Sequence, residues 1–95
     1  LKDVIIDVGF GFGKSLEHNY QLLKDLALFG NLNTPVLAGV SRKSMLYKPL
    51  HISANEALNA TTTANTIALL NGANILRVHD VKEAVEAINI VNLLN

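Results

Sequence analysis

The sequence predicts an α/β fold, a parallel sheet covered by helices, on three observations. A short apolar run, a polar loop and a helical period recur in that order three times within 95 residues. The runs Val4-Ile5-Ile6, Val36-Leu37-Ala38-Gly39-Val40 and Ile75-Leu76-Arg77-Val78 are nearly continuous in apolar residues, the pattern of parallel strands buried on both faces. The residues able to do chemistry sit at the ends of those runs: Asp7 to Lys14 follows the first, Ser41 to Ser44 follows the second, and Arg77 with His79 closes the third. In parallel strands all three clusters share the carboxyl edge, where barrels and open doubly wound sheets bind ligands.

The first strand, Val4 to Asp7, runs into Asp7-Val8-Gly9-Phe10-Gly11-Phe12-Gly13-Lys14. Three glycines alternating with two aromatics do not suit a helix or strand interior, where Gly loses more backbone entropy than Ala. They suit a loop whose backbone approaches a ligand closely, with the Phe rings as walls, an acid at one end and a base at the other. The competing reading is a flexible connector. A helix from about Ser15 to Phe29 follows, with Leu16, Tyr20, Leu23, Leu26 and Ala27 at spacings of three and four. Ser15 suits its N-cap, and Gly30 a left-handed C-terminal turn. Thr34-Pro35 opens the second strand, since Pro is tolerated at a strand's first position. A polar loop from Ser41 to Ile52 leads to Ser53-Ala54-Asn55-Glu56, which matches the capping box. Its helix carries Ala57, Leu58, Ala64, Ile67, Ala68 and Leu70 and stops at Asn71-Gly72. After the third strand and His79, Asp80-Val81-Lys82-Glu83 is a second box-like start. The helix it opens sets Val81, Ala84, Val85, Ile88 and Val91 against Lys82, Glu83, Glu86 and Asn89.

Composition narrows the function. Formal net charge is +0 and the pI is near 7.0, which argues against a nucleic-acid or anionic-membrane partner held by bulk charge. The chain has no Cys, so thiolate metal sites and disulfides are excluded and a reducing, cytoplasmic setting is expected. No leader pattern opens it, and no apolar run reaches the roughly 18 residues that span a bilayer. Apolar residues make up 49% and mean hydropathy is +0.29, high for so small a unit, so some apolar faces are expected to meet something else. Two phosphate motifs fail. Gly13-Lys14-Ser15 resembles a P-loop tail, but the first glycine would fall at Val8; the dinucleotide fingerprint from Gly9 and Gly11 needs a glycine where Lys14 stands.

Taken together, Asp7-Val8-Gly9-Phe10-Gly11-Phe12-Gly13-Lys14, Gly39-Val40-Ser41-Arg42-Lys43-Ser44 and Arg77-Val78-His79-Asp80 resemble the C-terminal part of the dihydropteroate synthases. The likeness spans essentially the whole chain, with the motifs in family order. It implies the last three strand–helix units of an eight-stranded (β/α)8, or TIM, barrel, a fold of about 250 residues. It also implies a transferase joining 6-hydroxymethyl-dihydropterin pyrophosphate to para-aminobenzoate, giving dihydropteroate for folate synthesis. The 95 residues alone are expected to be inactive, because the earlier strands are not among them.

Carried over position by position, the resemblance implies that Asp7 pairs with the guanidine-like edge of the pterin, and that Gly39 and Lys43 line the same site. Ser44, with Lys43, is implied on the aminobenzoate side. Phe12 would pack on the aminobenzoate ring, where sulfonamides bind in this family. Arg77 would stack on the pterin and hold the leaving anion, and His79 would contact the pyrophosphate, making Lys43, Arg77 and His79 the catalytic set. The bland counterparts are a strand-end cap for Asp7, a plug in the barrel mouth for Phe12 and a solvated loop for Arg42; His18 and His51 read as surface residues. Family members carry Mg²⁺ on the pyrophosphate, with its protein ligand expected outside this segment, so no metal ligand is assigned here. They pair as homodimers through late helices, for which the helix around Ala57 to Leu70 is the candidate. Val8 departs from the family's usual Pro and frees the φ of that turn. Rival readings are a pterin-dependent methyltransferase barrel, a phosphate-binding (β/α) isomerase or aldolase, and a non-catalytic fragment.

Overall fold

The computed structural model describes residues 5–11, 13–32 and 34–95, with backbone alone at 30–32. Strands β1 (Ile6–Asp7), β2 (Val36–Ala38) and β3 (Ile75–Leu76) form one parallel sheet in the order β1-β2-β3. Helices α1 (Leu16–Lys24), α2 (Ser44–Tyr47), α3 (Leu58–Leu70) and α4 (Val81–Asn92) lie between and after them. Three successive strand–helix units on a parallel sheet, in sequential strand order, match the arrangement of a sector of a (β/α)8 barrel.

Register decides which residues share a face. Asp7 stands opposite Leu37, and Leu37 opposite Ile75, while Ile6 faces Val36 and Ala38 faces Leu76. Successive side chains on a strand point to opposite sides. The Val36–Ala38–Val40 side is the core, fully buried against Leu23, Leu26, Met45, Leu46, Ala64 and Ala68. Each buried Val or Leu there contributes about 1.5–3 kcal/mol. On the other side Leu37 and Ile75 are only half-buried and Ile5 is 52% exposed. Helices therefore cover one side of the sheet and leave the side carrying Asp7 open.

The strands are shorter than the apolar runs. Val4 lies outside the described residues. Val40 and Val78 lie past the last β2–β3 link, Arg77 N–H to Ala38 O at 3.1 Å, where the chains diverge into their loops. Ser15 does cap α1, its Oγ accepting from His18 N–H at 3.1 Å. The helix stops at Lys24 rather than Phe29, and a 3₁₀ stretch, Leu26–Leu32, takes in Gly30. A distant side chain serves this end: Asn71 Nδ2 donates to Leu23 O at 2.9 Å, satisfying a last-turn carbonyl.

The capping box at Ser53 and Glu56 forms as read, opening a 3₁₀ turn (Ala54–Glu56) that runs into α3. The loop expected from Ser41 to Ile52 contains α2, because Met45 and Leu46 are buried in the core. Asp80 occupies the N-cap position of α4 without capping it; its carboxylate accepts from Arg42 instead. On α4 the buried residues are Ala84 and Ala87, whereas Val81 and Val85 are 64% and 47% exposed, so the packed stripe is rotated from the expected face. Small residues on that stripe let α4 lie close against α3, the most extensive helix pair of the structure. Among the described residues no helix is long and apolar enough to cross a membrane.

Candidate functional site

Each strand end delivers one part of the site. At the end of β1, Asp7 Oδ2 accepts from Arg77 Nη1 at 3.0 Å and Oδ1 accepts from Gly9 N–H at 3.1 Å. The Arg77 bond, aided by Gly9, holds the Asp7 carboxyl below the usual carboxylate range. Gly9, Gly11 and Gly13 all take positive φ (73°, 93° and 73°), a conformation that excludes most side chains and folds the loop tightly. Phe10 is not a wall of this site: it is 1% exposed and belongs to the hydrophobic core. A ring that large buries more apolar surface under the loop than it could at a solvent-open mouth. Phe12, expected on the aminobenzoate, lies outside the described residues.

Two side chains unassigned by sequence reasoning shape this loop. Buried Asn19 on α1 accepts from Gly11 N–H at 2.8 Å and donates to Ser15 O at 3.1 Å. Lys14 Nζ donates to Gly9 O at 2.7 Å and closes the loop on itself. A signal for Asn19 was present: it stands three residues after Leu16 and four before Leu23, a polar residue on the apolar stripe.

From β2 comes Gly39, buried beneath the Arg77 guanidinium. A Cβ there would meet Arg77 Nη2 at 2.6 Å, so the glycine is what lets the arginine lie flat across the sheet. Lys43 Nζ donates to Phe10 O at 2.8 Å, tying the second loop to the first. Burial pushes the Lys43 ammonium pKa down, and the neighbouring Arg77 charge adds to that. Arg42, expected to be solvated, is held in a network with Asp80 and two backbone carbonyls.

From β3 come Arg77 and His79. His79 Nδ1 lies 2.7 Å from Ser41 Oγ, which also accepts from His79 N–H at 3.2 Å. Gly39, Ser41, Lys43, Arg77, Val78 and His79 line one pocket of about 130 Å³. Asp7 reaches its rim through Arg77. Ser44 is not in it; with Lys14, Asn19 and Lys48 it lines a neighbouring pocket of about 200 Å³. Ser41, left unassigned by the sequence reading, takes the place beside His79. A roomier groove of about 220 Å³ runs among Tyr20, Leu46, Leu50 and Ile67 on the helix side, but no charged residue lines it. Among the described residues no group of three or more His, Asp or Glu side chains could hold a metal ion.

An ammonium, a guanidinium and an imidazole around so small a pocket suit an anion with several oxygens, because charge-assisted hydrogen bonds are about twice as strong as neutral ones. A carboxylate already engaged with a guanidinium suits a flat ligand edge presenting the same donors. These features define a cationic site at the carboxyl edge of a parallel (β/α) sheet. The family model described as "Pterin binding enzyme" matches residues 1–79, and the chain belongs to that family. It is 50% identical over 88 residues to the dihydropteroate synthase of Escherichia coli (strain K12), covering 93% of this chain and 31% of the relative. The crystal structure of Yersinia pestis dihydropteroate synthase superimposes with a TM-score of 0.95 at 44% identity, covering 98% of this chain and 44% of the other. A further Yersinia pestis structure, of the enzyme with a sulfonamide drug complex, has the same TM-score and identity and is covered to 34%. The chain thus spans about a third of the length of the curated relative.

Proposed function

We propose that the chain forms the pterin and diphosphate part of a dihydropteroate synthase site, joining 6-hydroxymethyl-dihydropterin pyrophosphate to para-aminobenzoate. The observation that carries this reading is the convergence of Asp7, Lys43 and Arg77 from three adjacent strand ends, with Asp7 bonded to Arg77 at 3.0 Å. The amino-pyrimidinone edge of a pterin presents the same pair of donors as that guanidinium. The incoming pterin takes over the carboxylate, and Arg77 is released to lie over the ring and the diphosphate.

In the reaction the carbon–oxygen bond between the pterin methylene and the diphosphate breaks, and its electron pair leaves with the diphosphate. The aminobenzoate nitrogen forms the new carbon–nitrogen bond and loses a proton. Lys43, Arg77 and His79 face the charge as it develops on the leaving group, where fixed donors are most effective. The chain otherwise works by holding two flat substrates in line, which needs no protein nucleophile. The pocket of Lys14, Ser44 and Lys48 receives the aminobenzoate carboxylate. Mg²⁺ carried on the diphosphate, with its protein ligand outside this segment, would add to the neutralisation of that charge. A methyltransferase would leave the Lys43–Arg77–His79 cluster without an anion to hold.

The test is calorimetric titration of dihydropterin pyrophosphate into the intact protein, wild type and Asp7→Asn. Losing a charged partner to a hydrogen bond is worth about 1.5–3 kcal/mol, so affinity falls about 10- to 150-fold. Equal affinity in the two proteins removes the pterin role from Asp7. We also propose that a second copy pairs through α3, where Ile67 and Leu70 are 40% and 58% exposed. Sedimentation of Ile67→Glu decides this: an unchanged dimer excludes the helix.

A further inference from the structure

The sheet ends before the site is complete, and side chains take over from the backbone. Beyond the last backbone link at Ala38 and Arg77, the loops carrying Lys43 and His79 are fastened by two successive pairs. The first is Ser41 with His79, at 2.7 and 3.2 Å. The second, one residue on in each loop, is Arg42 with Asp80: Nε meets Oδ2 at 2.9 Å and Nη2 meets Oδ1 at 3.0 Å. The same guanidinium donates from Nη1 to Ala54 O at 2.8 Å and Asn55 O at 2.9 Å, and Arg42 N–H donates to Thr61 Oγ1 at 3.0 Å.

Three features set this second pair apart from a surface ion pair. It is bidentate, and its side chains are only 22% and 21% exposed. Arg42 has a φ of 54°, left-handed backbone that a non-glycine residue keeps only where its surroundings over-determine it. And Asp80 serves Arg42 while leaving the N-terminus of α4 without a side-chain cap. Neither residue lines the 130 Å³ pocket. Yet Arg42 directly precedes Lys43, and Asp80 directly follows His79.

We propose that Arg42 and Asp80 are a positioning pair that fixes the separation of Lys43 from His79 and Arg77 across the anion pocket. The left-handed turn at Arg42 aims Lys43 back toward Phe10, and the fork on Asp80 locks that turn to the β3 loop. Lysine cannot replace Arg42, since one ammonium cannot hold the planar fork and the two carbonyls together. The proposal rests on the reading that this pocket takes the diphosphate of a pterin substrate.

The experiment compares the intact protein with Arg42→Lys, Asp80→Asn and the double variant, in two measurements. Hydrogen exchange at the Arg42 and His79 amides accelerates about tenfold or more in each variant, while amides of β2 and of mid-α3 keep their wild-type rates, since the opening is local. Unchanged exchange at Arg42 and His79 overturns the clamp whatever the substrate is. In steady-state kinetics KM for dihydropterin pyrophosphate rises about 10- to 100-fold, as expected when an anion-binding arm is displaced by about 1 Å. KM for aminobenzoate rises as well, because the same left-handed turn sets Ser44 in the neighbouring pocket, and the double variant is no worse than the weaker single one because the two residues act as a unit. A KM for dihydropterin pyrophosphate that stays at the wild-type value, or losses that only track the folded fraction, overturn the positioning role. A wild-type protein that binds no dihydropterin pyrophosphate sinks the synthase reading instead, and the exchange measurement still decides whether the clamp exists.

Discussion

Gly39→Ala is the sharpest probe of the site, because the structure separates its effect on the fold from its effect on Arg77. Gly39 does not have a positive φ, so alanine fits the backbone there. The added Cβ stands 2.6 Å from Arg77 Nη2 where ordinary contact begins at 3.4 Å, so the guanidinium must retreat by 0.8 Å or swing out. That movement is easy for a side chain more than half exposed, and the ion pair it gives up with Asp7 contributes only about 0.2–1 kcal/mol. At about 2–8 °C per kcal/mol, the smaller figure for a longer intact protein, the melting temperature falls by about 8 °C at most. Ligand binding is another matter. An arginine moved off its anion forfeits a charge-assisted hydrogen bond of about 1.5–3 kcal/mol, which is about 10- to 150-fold in affinity. Calorimetric titration of dihydropterin pyrophosphate, paired with thermal unfolding of the same intact protein, reads both quantities. Unchanged affinity alongside a folded variant refutes the claim that Arg77 works from its seat over Gly39. A large drop in melting temperature refutes the claim that the clash is confined to a mobile side chain.

Two further outcomes test the loop and the charge network. Asn19→Ala leaves the Gly11 N–H without its 2.8 Å acceptor inside a partly buried turn, which costs about 1–3 kcal/mol; denaturant unfolding reads it, and a change under about 0.5 kcal/mol refutes the anchoring role. The acid limb of stability follows from three carboxyls held below their ordinary range: Asp7 by Arg77, Asp80 by Arg42, and Glu56 by the Ser53 backbone and hydroxyl. A depressed folded-state value means that the stabilisation is complete above the unfolded pKa of about 4 and is lost as pH falls through the folded values. Unfolding midpoints measured from pH 6 to 2.5 are expected to drop mainly below about pH 4, and a rise on acidification there contradicts these pairings.

Period and order made much of this legible in advance. Near-continuous apolar runs interleaved with helical spacing force a parallel sheet with its loops on one edge, because buried strands and amphipathic helices have no other economical arrangement. Asp7, Lys43, Arg77 and His79 were therefore placed at the carboxyl edge by their position at or just past the end of each run, and the structure sets them there. Local chemistry was legible too: the Ser15 cap and the Ser53–Glu56 box need only neighbouring residues.

What failed needed partners far away in the chain. Phe10 read as a wall of the site, yet it is buried in the core, because the apolar room beneath the loop is made by residues distant in sequence. Arg42 looked solvated until Asp80, 38 residues on, met it. Ser41 went unassigned because its partner His79 lies 38 residues on, and Ser44, read on the aminobenzoate side, lines a pocket with Lys14 and Lys48 apart from the one Lys43 lines. The sequence by itself determined which edge of the sheet bears the chemistry, since that depends only on the order of strands and helices. Tertiary structure alone decided which side chain meets which, because hydrogen-bond partners are chosen over a few ångströms in space, and the chain's order does not encode that distance.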